Sequence, residues 1–239
     1  MYEYILFDLD GTLTDSKPGI TRCVQYALRR MGIEEPDLDK LEPFIGPPLL
    51  DSFREFYEFD EEQGQRAIGY YRERFSTVGI FENEVYPGVE KLLAELKVFG
   101  KKLAVASSKP EIFVERILEH FGLQTYFDVI VGSGLDGTRT KKEEVVEEAL
   151  RCLLPEKLFQ EIMDGRTKSQ TVEEYDGEYH DAVVMVGDRR FDVEGAKEYH
   201  IASIGVAYGY ALPEELTKAG ADVIVETVEE LGKTLQQGI

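Results

Sequence analysis

Only two cysteines occur in the 239 residues, Cys23 and Cys152. One pair cannot staple a chain of this size, so both are read as buried thiols of a reducing compartment. Long apolar runs are equally scarce. No stretch approaches the ~18 apolar residues that crossing a bilayer requires. The opening MYEYILFDLDGT meets charge at once and has neither the basic region nor the apolar centre of a signal peptide. A soluble, cytoplasmic protein is expected. Positive charge is the third shortage: 27 Lys and Arg stand against 47 Asp and Glu, a net charge of −20. Spread over a folded surface on the order of 11,000 Å², that charge repels phosphate backbones and anionic lipids. Neither a nucleic-acid polymer nor a membrane is expected as partner. An anionic substrate would need a local positive pocket built against the global field. The three histidines, His120, His180 and His200, are scattered, and two fall at the ends of helical patterns, which points to capping or surface roles rather than metal binding.

What is present is enough to build a core. The composition is 43% hydrophobic and 11% aromatic, which excludes wholesale disorder. Short runs rich in Val and Ile read as buried parallel strands: Tyr4–Phe7, Leu103–Ala106, Val129–Val131, Val183–Val186, Ala202–Val206 and Asp222–Val225. Helical patterns lie between them. Val89–Phe99 places Val89, Leu92, Leu93 and Leu96 on one face with Gly100 as its stop. Ile112–Phe121 repeats the device with Gly122, and Glu143–Leu153 and Asp192–His200 continue the alternation. The expected fold class is α/β, a Rossmann-like parallel sheet with helices on both faces.

One interval breaks the rhythm. Between about Ser16 and Glu84 the pattern is helical throughout, and Ile20, Cys23, Val24, Ala27, Leu28 and Met31 form a single stripe ending at Gly32. Leu49–Tyr57 and Glu61–Phe75 read the same way. The expected organisation is an α/β core of residues 1–15 and 86–239, with residues 16–85 inserted as an all-helical cap. A second excursion, the polar Gln160–His180, carries Asp164-Gly165 and Asp176-Gly177 and reads as a surface loop or a hairpin with Asp-Gly turns.

In an open parallel sheet, ligands collect beyond the carboxyl ends of the strands. The first run is followed there by Asp8-Leu9-Asp10-Gly11-Thr12, the second by Ser107-Ser108-Lys109. The third leads to Gly132-Ser133-Gly134 and then Lys142, and the fourth to Gly187-Asp188-Arg189-Arg190-Phe191-Asp192. Four carboxylates gathered in one crevice would repel unless a divalent cation neutralised them, and hard oxygen ligands with open positions favour Mg²⁺. Asp8 and Asp10 stand two residues apart on an extended segment, so both carboxylates can face the crevice. Gly11 permits close backbone approach, and the N–H groups from Leu9 to Thr12 can cradle a phosphoryl group.

These segments together resemble the haloacid dehalogenase-like hydrolases. DLDGTLTDS (Asp8–Ser16) is similar to that family's first motif, Ser107 in VASSK to the second, Lys142 to the third and GDRRFD (Gly187–Asp192) to the fourth. The resemblance covers the chain apart from Gln160–His180. FIGPPL (Phe44–Leu49) and GLDGTRTKK (Gly134–Lys142) are most similar to the phosphoglycolate phosphatase-like and 5′-nucleotidase-like branch. The resemblance implies Asp8 as nucleophile and Asp10 as general acid and base. It implies Mg²⁺ held by Asp8, the Asp10 backbone carbonyl and Asp188, with Asp192 supporting the metal's waters or orienting Lys142. Phosphoryl oxygens would be held by Ser107, with Ser108 beside it, by Lys142 and by the loop at Gly11 and Thr12. Lys109 and Lys141 are rivals to Lys142, and Lys109 is expected to pair with carboxylates at the rim of the crevice. Arg189 and Arg190 read as solvated.

The expected activity is hydrolysis of a small phosphorylated metabolite by a monomer or homodimer. The alternatives are a sugar-phosphate mutase on the same scaffold and a non-hydrolytic phospho-acceptor signalling module. Specificity is expected from the cap, chiefly Phe44, Ile45 and Gly46, with Arg22, Arg54 and Arg72 as further candidates.

Overall fold

The computed structural model describes residues 2–169 and 182–237. The chain starts with β1 (Tyr4–Phe7) and the two-residue β2 (Thr14–Asp15), then turns helical with α1 (Lys17–Arg30), α2 (Leu49–Tyr57) and α3 (Glu61–Phe75). Short 3-10 turns at Asp39–Phe44 and Gly79–Phe81 complete that segment, and β3 (Glu84–Val85) leaves it. The alternation that follows is α4 (Val89–Val98), β4 (Lys102–Pro110), α5 (Glu111–His120), β5 (Val129–Ser133), α6 (Lys142–Leu153) and α7 (Glu156–Ser169). It continues with β6 (Val183–Gly187), α8 (Arg190–Glu198), β7 (Ala202–Val206), α9 (Glu215–Ala219), β8 (Val223–Val225) and α10 (Val228–Gln237).

Six strands form one parallel sheet in the order β5-β4-β1-β6-β7-β8. Both faces are covered, which is why these strands read as unbroken apolar runs rather than alternating ones. Within β1 the side chains still alternate by face. Ile5 and Phe7 join a core shared with the helical segment, while Tyr4 and Leu6 join a second core beneath α6 and α8. The first of these cores takes in Ile20, Cys23, Val24, Ala27 and Leu28, the stripe of α1, so the helical segment packs as a continuation of the sheet's own core.

The order of the strands fixes where a ligand can go. From the central β1 the chain builds one half of the sheet through β4 and β5 and the other through β6, β7 and β8. β1 therefore lies at the switch point, where the crevice opens beyond the carboxyl ends of the strands. The two crossings into and out of the helical segment pair with each other, Thr14 opposite Val85 and Asp15 opposite Glu84. These strands are too short to have a readable period.

Gly100 and Gly122 end α4 and α5 at φ +74° and +69°, as their positions in sequence implied. Two expectations need correction. Asp164-Gly165 is no turn, because it lies inside α7; the apolar Leu158, Phe159, Ile162 and Met163 pack that helix on the second core. The Asp176-Gly177 turn lies outside the described residues. Cys23 is buried but Cys152 is exposed on α6, its Sγ 3.6 Å from Glu148 Oε1. Among the described residues no helix is long and apolar enough to cross a membrane.

Candidate active site

The carboxyl ends of β1, β4 and β6 bring together what the sequence scatters over 185 positions. Asp8 follows β1, Ser107 to Lys109 lie in the last part of β4, and Asp188 follows β6. Lys142 is the first residue of α6, and Asp192 lies in the first turn of α8. One carboxylate oxygen from each of Asp8, Asp188 and Asp192 lies within 4.8 Å of the other two. All three residues are buried, Asp188 completely. Lys142 Nζ stands among them, 2.8 Å from Asp8 Oδ1, 2.6 Å from Asp192 Oδ1 and 2.8 Å from the Ala106 carbonyl oxygen.

The electrostatics of this cluster are lopsided. Burial alone would push the Lys142 ammonium down, but Asp192 and Asp8 outweigh it and hold the group above its usual range. Burial, reinforced by Asp192 and Asp8, pushes the Asp188 carboxyl well above the usual carboxylate range. Burial likewise pushes Asp192 up to about 6, with Lys142 opposing and Asp8 adding. Asp188 Oδ2 accepts from the Tyr210 amide at 2.7 Å, whereas its Oδ1 is buried with no hydrogen-bond partner among the described residues. Three buried carboxylates, one orphaned oxygen and a single ammonium between them fit a hard divalent cation.

Asp10 faces elsewhere in the same crevice. Its Oδ1 and Oδ2 are 2.9 and 2.8 Å from Lys109 Nζ, which also lies 4.7 Å from the centre of the Phe75 ring. Lys109 thus pairs with a carboxylate, while the rival Lys141 is exposed and lies 3.9 Å from Glu143. A cavity of about 390 Å³ opens over these groups between the sheet edge and the helical segment. Asp8, Asp10, Ser107, Ser108, Lys142 and Asp192 line its floor, and Arg72, Lys109, Arg189 and Asp136 lie elsewhere on its wall. Its four cations, Arg72, Lys109, Lys142 and Arg189, offset its four carboxylates, Asp8, Asp10, Asp136 and Asp192, so the crevice is locally balanced within a chain of net charge −20.

Not every expected residue reaches the cavity. Gly11 and Thr12 do not line it: the Gly11 N–H donates to Thr14 O at 2.8 Å and the Thr12 N–H to Leu9 O at 3.3 Å. Gly11 serves close packing instead, since at φ +81° a Cβ there would collide with the Asp188 carboxylate. Phe44 and Gly46 line the cavity, whereas Ile45 is fully buried away from it and offers its carbonyl to Arg189. Arg22 pairs with Glu82 and Arg54 with Glu61, both outside the cavity; Arg72 lines it and donates to Leu135 O at 3.4 Å. Of the histidines, His120 packs on Phe81 at the end of α5 and His200 follows α8; His180 lies outside the described residues.

Two features escaped sequence reasoning. Arg189 is not solvated but 8% exposed and held between core and helical segment. Gly209 and Tyr210, from the loop after β7, pack against Gly11 and Asp188: a Cβ on Gly209 would strike Gly11 O and Asp188, and the Tyr210 amide donates to Asp188 Oδ2. A glycine between two tyrosines just beyond a strand's carboxyl end was the available signal. It carries no titratable group of the kind that marks a site.

With this geometry in place, comparison with known proteins gives the class. Residues 5–206 match the family described as haloacid dehalogenase-like hydrolase, and the chain belongs to it. It is an enzyme of that family's phosphatase kind. A 5′-nucleotidase of Pseudomonas aeruginosa is 45% identical over 215 residues, 90% of this chain and 87% of that protein. A tyrosine-protein kinase of Mycobacterium tuberculosis is 35% identical over 237 residues, 98% of this chain and 72% of that protein. A crystal structure of a predicted phosphatase from Clostridium acetobutylicum superposes with a TM-score of 0.85 at 46% identity, covering both chains in full.

Proposed function

We propose that this protein is a Mg²⁺-dependent phosphomonoester hydrolase that acts on a small phosphorylated metabolite through an aspartyl-phosphate at Asp8. The observation that carries this reading is the convergence of Asp8, Asp188 and Asp192 on one point with Lys142 among them. Asp8, Asp188 and the Asp10 backbone carbonyl would hold the Mg²⁺, whose charge offsets that of the transferring phosphoryl group.

Asp8 attacks phosphorus in line, and the bond from phosphorus to the leaving oxygen breaks as the new bond forms. Lys142, seated 2.8 Å from Asp8 Oδ1, and Ser107 beside it hold oxygens of the phosphoryl group. Asp10 in its protonated form gives its proton to the leaving oxygen, and the carboxylate so formed, the state that Lys109 holds, takes one from the water that attacks the aspartyl-phosphate and frees Asp8. The helical segment 16–85 acts as the cap, closing the cavity over the substrate and keeping bulk water from the intermediate.

The substrate is a phosphomonoester with a bulky, partly apolar leaving group. A cavity of about 390 Å³ is far larger than a two-carbon acid needs, and Leu50, Ile68, Tyr71, Phe75 and Phe113 line it beyond the polar floor. A nucleoside has this size and character, which agrees with the name of the Pseudomonas aeruginosa relative. A second reading, transfer of the phosphoryl group to an acceptor hydroxyl instead of water, is favoured by the name of the Mycobacterium tuberculosis relative.

The test is phosphate release from p-nitrophenyl phosphate and a panel of phosphorylated metabolites, with Mg²⁺ and with chelator. Free phosphate that depends on Mg²⁺ is expected. Phosphate passed intact to an acceptor would favour the second reading. Release indifferent to chelator would overturn the metal assignment.

A further inference from the structure

Arg189 has two ends with different duties. Its backbone belongs to the acidic turn: it follows Asp188 directly, and its N–H donates to Asp192 Oδ2 at 3.0 Å. Its side chain leaves the core for the helical segment, where Nη1 donates to the Ile45 carbonyl, 144 residues away in sequence. On the way, Nε donates to Glu215 Oε1 at 2.9 Å. Glu215 is itself pinned by the amides of Arg190 and Leu212, each at 2.9 Å, so the guanidinium is held on a fixed anchor. Arginine suits the task, because its planar fork donates in two directions at once while a lysine ammonium is a single point of charge.

The partner loop is built to fit. Gly46 has φ +102°, and a Cβ there would lie 3.1 Å from Arg189 Cγ and 3.4 Å from Nη1. The glycine backbone therefore rests directly against the arginine stem, a tight contact that a Cβ would push apart by a few tenths of an ångström. The same short stretch forms a wall of the cavity, through Phe44, Gly46, Pro47 and Pro48. A salt bridge serving only the core would not need a glycine on the other body.

We propose that Arg189 is a positioning residue that determines specificity: it clasps the Ile45–Gly46 segment to the Gly187–Asp192 turn and so fixes the wall that receives a bulky leaving group. The proposal rests on the phosphomonoester reading above. It leaves phosphoryl transfer to Asp8, Asp10 and Lys142. Loosening the clasp weakens binding of large esters and spares small ones, whose leaving groups do not reach the wall.

The test compares p-nitrophenyl phosphate with phosphoglycolate, a two-carbon phosphomonoester, in Arg189→Lys, which keeps the charge and loses the fork. With the aromatic ester KM rises about tenfold while kcat stays within about twofold; with phosphoglycolate both constants stay within about twofold. Gly46→Ala, on the other side of the contact, shifts KM in the same direction, and the double variant loses less than the product of the two. If Arg189→Lys does not fold, Glu215→Gln, which frees the anchor, takes its place with the same expectation. An unchanged KM ratio between the esters, or equal losses of kcat with both, overturns the proposal. Amide hydrogen exchange reads the clasp without activity: exchange at the Phe44, Ile45 and Gly46 amides is expected to be about tenfold faster in Arg189→Lys, and unchanged exchange refutes the clasp. A wild-type protein that releases no phosphate from either ester defeats the phosphomonoester reading, a result distinct from either of these.

Discussion

The Lys109 ammonium grips both oxygens of Asp10, at 2.9 and 2.8 Å, while lying 4.7 Å from the centre of the Phe75 ring. One cation from β4 therefore joins the second carboxylate of the N-terminal motif to α3 of the helical segment. Both side chains are more than nine-tenths buried. A carboxylate stripped of its partner in such a place is costly. Lys109→Met is expected to lose about 3–5 kcal/mol of stability in denaturant unfolding. Its kcat/KM falls by about tenfold or more, because nothing then orients Asp10. Stability equal to that of the wild type would show that the pair contributes nothing.

Asp188 carries the metal prediction. Burial, with Asp192 and Asp8 adding, disfavours its charged form, and its Oδ1 has no hydrogen-bond partner among the described residues. Without a cation that charge opposes folding. Wild-type protein is thus expected to gain about 2.7 kcal/mol in Mg²⁺ at a hundred times its dissociation constant. Asp188→Asn removes the gain, yet in chelator it unfolds no sooner than wild type. A variant that still responds to Mg²⁺ would contradict the assignment; thermal unfolding with Mg²⁺ and with chelator reads both results.

A structural carboxylate gives the pH dependence. Asp128 precedes β5 and accepts from Lys97 Nζ at 2.6 Å, Lys102 Nζ at 3.1 Å and the Leu103 amide at 2.9 Å. Burial raises its pKa, but these bonds outweigh it and hold the carboxyl at about 2. A folded value below the unfolded ~3.9 contributes stability that is present above that unfolded value and lost as pH falls through about 2. Asp128 is exposed and its lysine pairs are screened by solvent, so Asp128→Asn is expected to cost only about 1 kcal/mol at neutral pH. The deficit shrinks as pH falls below about 4. Denaturant unfolding over that range checks it, and a deficit constant with pH would contradict the assignment.

Much of the sheet was legible because buried parallel strands announce themselves: Tyr4–Phe7 and Ala202–Val206 have the bounds their apolar runs implied. Leu49–Tyr57 and Glu61–Phe75 did so too through helical spacing. β2 and β3 were invisible, since two residues carry no period and their pairing is fixed by the chain's return from the helical segment. Asp164-Gly165 misled because the packing of Phe159 and Ile162 on the second core overrides a local turn preference. At the site, Asp8, Asp188 and Asp192 were legible from residue type just past the strands, whereas Lys142, with Lys109 and Lys141 as rivals, was legible only through its resemblance to the family's third motif. Arg189 was not, because its burial depends on Ile45 and Glu215, neither of which marks a site by its own chemistry. The inward turn of the Gly11 and Thr12 amides was hidden for a similar reason: it belongs to the backbone, and any sequence that folds this loop shares it.

The central claim is that Asp8 forms the covalent bond to phosphorus. The most direct measurement is rapid acid quenching during turnover of a phosphomonoester in Mg²⁺, followed by mass spectrometry of the peptide that contains Asp8. A phosphoryl adduct on Asp8 that is present during turnover, disappears once the substrate is exhausted, and is absent together with phosphate release in Asp8→Asn, is the expected result. An Asp8→Asn protein that releases phosphate at the wild-type rate would contradict it.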